Sequence, residues 1–372
     1  MIGISFRQRI RRFSICVLLS LGVVGCVMLG ATAAIDRDRR DAPTAPWVEV
    51  PLGAGRGPLF AAGGAQGTVC VSCITSRDIV AVRGFSERPT LTRVPLPVEG
   101  TPGCLVRGGD DLFMSVLGQS VLLRVSEGDI AEHRLLSTSL VQPSYLTCVG
   151  EDRVFVTDDR KHQIATYDVK RARVIEAVPL PGRPLCVFAD STGDTVWVGL
   201  EIEKSDPDGV PRSLVQVFRT RPLRHVHDVW VRGAPVRQVM PEPVPGQAIA
   251  LSEHPAVLSR IALTADGVDT HELRLDQGFA HDGCLIREGR MAVWTGYGPT
   301  GKDRTPWRYF LRAAPTSTPL DGATLAFPAE FGTRAKRALG AVVWVPAQQR
   351  VVLPVFSRDS VVIVDVQEWL GK

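Results

Sequence analysis

At 372 residues, with 45% hydrophobic and 22% charged side chains, the chain has an ordinary globular composition and room for one large domain or several small ones. A formal charge of +4, spread over basic residues that alternate with acidic ones, provides no concentrated basic stripe, and no nucleic-acid partner is expected. Thirty-five Gly and 27 Pro without a collagen-like period suit many short strands joined by tight turns.

The chain opens with a basic stretch, Arg7, Arg9, Arg11 and Arg12, within a segment 1–13 that should stay on the cytoplasmic side. Residues 14–35 carry no charge and, as a helix rising 1.5 Å per residue, would cross a hydrocarbon core about 30 Å thick. That is longer than the apolar run of a signal peptide, so this hydrophobic helix is read as a retained membrane anchor. Two competing processing signals lie inside it. Ala31-Thr32-Ala33 has the small residues of a cleavage site, and Val23-Val24-Gly25-Cys26 resembles a lipobox in which Cys26 would be lipidated. All three readings place the rest of the chain at the extracytoplasmic side of the cytoplasmic membrane, periplasmic or extracellular. Residues 36–46, charged and Pro-containing, read as a solvated tether.

From Trp47 to Trp369 the texture changes to short apolar runs separated by Gly, Pro, Asp and Ser, with no sustained helical period. Set against itself, this region repeats about every forty residues. One unit carries Tyr145–Val149, Arg153–Asp158, Ile164–Val169 and Val174–Val178, four strand signals in order. The next restarts at Gly182-Arg183-Pro184, and related units surround Gly103–Val106 and Gly283–Ile286, with weaker ones near Gly57 and Pro235. The last unit, Ala341–Val345, Val351–Pro354 and Val361–Val366, lacks a fourth strand, whereas Trp47–Pro51 is a strand without a unit. Pairing the two closes a ring. The expected fold is all-β: a single propeller of about seven four-stranded blades over 47–369, closed by its N-terminal strand.

Phe155-Val156-Thr157-Asp158, Tyr167-Asp168-Val169 and Pro181-Gly182-Arg183-Pro184 together resemble the repeat of the YVTN family of β-propellers. The resemblance implies seven blades and an extracytoplasmic address. It implies no single activity, because lactonases, dehydrogenase subunits, surface proteins and binding proteins share such propellers.

Outside the apolar segment stand Cys70, Cys73, Cys104, Cys148, Cys186 and Cys284. The compartment permits disulfides, and Cys104–Cys148 and Cys148–Cys186 are mutually exclusive candidates; the simpler reading is buried thiols at one recurring position of the innermost strand. Cys70-Val71-Ser72-Cys73 lacks the second pair of a zinc set and the His of a haem site. No metal is expected there. Gly296–Lys302 has phosphate-loop spacing but Asp303 replaces the hydroxyl residue, and Asp206-Pro207-Asp208-Gly209 reads as a turn.

In a propeller the connections between the second and third strands emerge beside the loops that join blades. Two of them, Glu201–Ser213 and Tyr297–Trp307, are expanded and should wall one side of an opening. Asp158, Arg183, Glu253, His254, His281, Asp282, Lys302 and Arg334 are the candidate ligand-binding residues there, with turn capping and plain solvation as their simpler roles. Ser72, Ser115, Thr157, Gly199, Ser252 and Thr295 form a recurring set of small residues, expected to serve packing. The leading functional expectation is a non-catalytic binding or scaffold module that grips a protein or cell-envelope ligand and needs no cofactor. The alternatives are a lactonase-like hydrolase, using a cation such as Ca²⁺ or His281 paired with Asp282 or Glu253, and a dehydrogenase-type propeller subunit.

Overall fold

The computed structural model describes residues 45–63, 67–85, 89–126, 129–274, 278–299, 307–317, 322–328, 331 and 339–371. The hydrophobic segment with Cys26, and the candidate residues Lys302 and Arg334, lie outside the described residues. Among the described residues no helix is long and apolar enough to cross a membrane.

Seven four-stranded antiparallel sheets make up the unit Pro46–Lys372. Six consist of four consecutive strands. The seventh has the order expected of a closing blade: Val343–Val345 is innermost, Arg350–Val355 and Ser360–Asp365 follow, and Trp47–Pro51 is outermost. The register at the closure runs from Trp47 opposite Val364 to Pro51 opposite Ser360. The architecture is a seven-bladed β-propeller.

Strand sequence follows radial position. Middle strands are covered by a blade on each side, so they read as continuous apolar runs, and every residue of Val69–Cys73 is buried. Outer strands meet solvent on one face and alternate, as in Arg173–Pro179, where half-buried Val174, Glu176 and Val178 alternate with exposed Arg173, Ile175, Ala177 and Pro179. The apolar clusters run from blade to blade. One joins Val50, Val352, Val361 and Ile363 of the closing blade to Val69, Val71 and Val80 of the first, each burial worth about 2 kcal/mol.

The innermost strands of the first six blades are Pro58–Gly63, Thr101–Gly108, Pro143–Val149, Pro184–Ala189, Ala234–Pro241 and Phe279–Ile286. Each is irregular at one point, where two of its residues oppose one residue of the second strand. The opposing residues are the small set Ser72, Ser115, Thr157, Gly199, Ser252 and Thr295. Their role exceeds packing tolerance. Ser72 Oγ donates to the Gly103 carbonyl at 3.1 Å and Ser115 Oγ to the Ser144 carbonyl at 2.6 Å, each reaching the bulge of the next blade. Within its own blade Thr157 Oγ1 accepts the Tyr145 N–H at 3.1 Å. At Gly103 a Cβ would stand 2.4 Å from Ser115 Oγ, so glycine is what lets the hydroxyl approach. Bulges pinned this way re-aim side chains toward the axis.

The first expanded connection is a pair of strands rather than a loop, and the described ends of the second, Tyr297–Pro299 and Trp307, are paired as well. Thr195–Ser205 and Pro211–Thr220 continue as a hairpin arm, with Glu203 opposite Ser213 and Ser205 opposite Pro211. Its tip is a turn, as expected for Asp206–Gly209: the Asp206 N–H bonds the Val210 carbonyl, and the Asp206 and Asp208 carboxylates hold Arg212 and Arg232. Gly296–Pro299 likewise belongs to a strand, Met291–Pro299, and opens no helix.

Because the strands of each blade alternate, the arm and the blade-to-blade loops share one face, called upper here. Pro46 lies on the opposite, lower face, where its carbonyl accepts the Asp365 N–H at 2.8 Å.

Candidate functional site

The axis of the ring holds a cavity of about 190 Å³ to which every blade contributes. The second residue of each bulge lines it: Phe60, Cys104, Tyr145, Cys186, Arg237 and Asp282, with Ala341 from the closing blade. The wall is divided. Blades one to four and seven supply Phe60, Tyr145, Leu185, Phe188, Val342 and other apolar residues, while the polar groups Arg237, Gln238, His281 and Asp282 all come from blades five and six. One polar side facing an apolar enclosure is the usual make-up of a binding site.

On the polar side, Arg237 and Glu253 form an ion pair. Both Nε, at 2.6 Å, and Nη2 of the guanidinium donate to Glu253 Oε2. Arg237 Nη1 has no partner among the described residues. The Asp282 carboxylate accepts the Gly283 N–H at 2.6 Å. Its field reaches thiols across the cavity. Burial pushes the Cys104 and Cys186 thiols up to about 12, and the Asp282 charge adds to that rise.

Of the candidate residues, His281 and Asp282 line this cavity, and Glu253, outside the lining, pairs with Arg237, which belongs to it. His254 is exposed on the upper face and stacks on Phe279 of the next blade at 4.8 Å. Arg183 is on the rim, 2.6 Å from Asp159 and 3.5 Å from Glu201. Asp158 is fully buried, and its carboxylate accepts the N–H groups of Val141, Gln142, Arg160 and Lys161. Among the described residues no three His, Cys, Asp or Glu side chains gather closely enough to hold a metal ion.

Arg237, Tyr145 and Phe60 escape a search for charged residues in loops because they sit inside strands. A signal for them exists: in five repeats the lining residue stands two after a proline, as in Pro58-Leu59-Phe60, Pro102-Gly103-Cys104, Pro143-Ser144-Tyr145, Pro184-Leu185-Cys186 and Pro235-Val236-Arg237. Proline lacks the N–H a ladder would use, which suits it to the start of a strand beside a bulge. In the sixth blade Ala280 replaces it ahead of His281-Asp282.

The six described cysteines are free thiols. They do not share one position: Cys104 and Cys186 stand in bulges, Cys148 and Cys284 farther along their strands. A thiol with a pKa near 12 when folded and about 8.5 when unfolded keeps its proton only in the folded chain between those values. Unfolding then releases protons, so stability falls as pH rises from about 8.5, by up to ~1.4 kcal/mol per pH unit for each thiol. Urea midpoints at pH 8 and pH 10 should therefore fall more steeply for the parent chain than for the Cys104→Ala/Cys186→Ala variant. Equal pH dependence would contradict the burial of these thiols.

No protein-family model matches the chain, and no curated protein matches its sequence. Solved structures do match its fold. Selenomethionine-substituted virginiamycin B lyase from Staphylococcus aureus superimposes with a TM-score of 0.63 at 10% identity, covering 86% of this chain and 98% of the lyase. A streptogramin B lyase gives 0.64 at 11%, covering 85% and 96%. Kuenenia stuttgartiensis hydrazine synthase gives 0.51 at 13%, covering 86% and 79%. At such identities the likeness establishes a propeller fold common to proteins with unrelated chemistry.

Proposed function

We propose that this chain is a membrane-tethered, extracytoplasmic propeller of the YVTN kind that acts as a binding module, seating one group of a protein or cell-envelope ligand in its axial cavity. The observation that carries this reading is the cavity itself. At about 190 Å³ it is smaller than the roughly 300 Å³ at which pockets begin to enclose whole small molecules. It suits a single inserted side chain or sugar substituent, with the remainder of the ligand resting on the rim around Arg183, His254 and the blade-four arm. Residues 14–35 supply the membrane attachment, as a retained anchor or through a lipidated Cys26, and residues 36–46 the tether.

The test compares the full-length chain with a Leu185→Trp variant, which fills the cavity from a bulge position without adding charge. Both are crosslinked in isolated membranes. An envelope component captured by the parent chain and lost from a variant with unchanged melting temperature supports the module; equal capture by both contradicts it.

A second reading is favoured by one feature, the adjacency of His281 and Asp282 on the cavity wall of a fold that the lyases share. Under it His281 acts as a general base on a cyclic ester. Turnover of lactones or cyclic ester peptides, abolished by His281→Ala, would replace the binding reading.

A further inference from the structure

A second cavity, of about 850 Å³, opens on the lower face between blades six and seven. It shares no lining residue with the axial cavity, and its role is independent of what the axis binds. Its volume lies within the roughly 300–1,000 Å³ that encloses a small molecule or a short stretch of a chain-like ligand.

The walls of this cavity keep side chains where the backbone favours glycine. The turn from the first to the second strand of a blade places a residue at positive φ, and in blades one to five that residue is Gly67, Gly109, Gly150, Gly193 or Gly246. Blade six instead has Arg287 and Glu288 at φ of 50° and 57°, in a turn closed by the Gly289 N–H on the Ile286 carbonyl at 3.2 Å; blade seven has Gln349 at 52°. Asn-Gly is the ordinary choice for a pair like Arg287-Glu288, because a Cβ crowds the following carbonyl in the left-handed region. Among the described residues seven non-glycine side chains stand at positive φ, and three of them line this one cavity. Side chains held at a conformational cost and converging on one space point to a use for them there.

Their chemistry indicates the ligand. Glu288 and Arg290 stand 3.5 Å apart and are almost fully exposed, so their pairing adds little to the fold and can regroup around a bound molecule. Gln349 donates Nε2 to the Pro346 carbonyl at 2.9 Å, and its amide oxygen has no partner among the described residues. The turn that carries Glu288 is braced by Thr316, whose Oγ1 donates to the Gly289 and Arg290 carbonyls at 3.2 and 3.3 Å. Carboxylate and amide acceptors thus stand beside guanidinium donors. A hydroxyl group, which donates and accepts, matches both; a phosphate matches only the donors and an ammonium only the acceptors. The half-buried Trp344 adds a flat apolar surface to the same wall. A ring with an apolar C–H face and equatorial hydroxyls around its edge fits the two kinds of surface together.

We infer that the cavity between blades six and seven binds an uncharged glycan, one sugar ring lying on Trp344 and its hydroxyls shared among Glu288, Arg290 and Gln349. Glycans built of glucose and of N-acetylglucosamine both offer this flat ring.

Calorimetric titration of the full-length chain, in a detergent without a sugar headgroup, tests this with cellohexaose, chitohexaose and inorganic phosphate. One or both glycans should bind, which identifies the source, and phosphate should not displace them. Arg287→Asn/Glu288→Gly installs the residues the turn prefers, so the melting temperature should hold or rise while glycan affinity falls about tenfold or more. Trp344→Leu should weaken binding likewise, and Leu185→Trp in the axial cavity should leave it unchanged. Absence of binding by both glycans, displacement by phosphate, or parental affinity in the turn variant overturns the inference. Glycan binding lost in Leu185→Trp and kept in the turn variant would move the ligand to the axis, refuting this site while leaving the axial binding role standing.

Discussion

A chain from which Trp47–Pro51 has been removed is expected to lose its cooperative unfolding transition and to aggregate. That strand pairs with the outer edge of Ser360–Asp365, whose valines at 361, 362 and 364 are fully buried. Trp47 packs edge-on against Phe327 and Phe331 at 6.0 and 5.8 Å, and Val50 belongs to the cluster that joins the last blade to the first. The closure is also tied by polar contacts. Glu49 accepts from Arg358 and Ser360, both at 2.7 Å, and Asp359 accepts the Gly55 and Gly57 N–H groups at 2.7 Å. Losing an aromatic anchor, a buried valine and a strand ladder together costs at least about 5 kcal/mol, comparable with the whole stability of many domains. An exposed edge of valines is moreover a template for pairing with other chains. Differential scanning calorimetry with light scattering checks this. A deletion variant that still melts in one transition near the parent temperature would contradict a ring closed by its N-terminal strand.

Asp158→Ala should be the most damaging single substitution among the candidate residues, while leaving the cavity unaltered. The carboxylate satisfies four backbone N–H groups at the junction of blades two and three. With the side chain itself fully buried, its loss strands donors that water reaches poorly, at about 1–3 kcal/mol for a buried group left unsatisfied; a total near 3 kcal/mol is expected. Asp158→Asn keeps one acceptor oxygen and should recover roughly half. Urea denaturation measures both, and a loss under about 0.5 kcal/mol, the level of ordinary surface substitutions, would refute the capping role.

Asp158 also marks how far the amino-acid sequence carries the reading. The blade repeat and its closure were legible because they depend on strand periodicity and on two incomplete ends that complement each other. The hairpin arm was legible only as an insertion: Glu201–Ser213 alternates too weakly to reveal that its halves pair. Side-chain roles at strand ends were harder to read. Asp158 ends a second strand and Glu253 stands one residue before the end of another, yet Asp158 turns toward the chain's own loops and Glu253 toward Arg237. That choice depends on which neighbour sits across the blade junction. Arg237 itself was hidden because only a bulge turns it toward the axis, and a bulge is a mismatch between two strands rather than a feature of one. The proline two residues before the lining position in five of the repeats, Arg237 among them, is the trace it leaves.

The most direct test of the account is to soak crystals of the chain with a small set of organic probes, namely acetamide, N-methylacetamide, isopropanol, phenol and acetate, and to observe where they settle. The account predicts that the probes collect in the axial cavity between Tyr145, Leu185 and Arg237. Probes that gather elsewhere while the cavity holds none of them would contradict the claim that the axis of this propeller is its binding site.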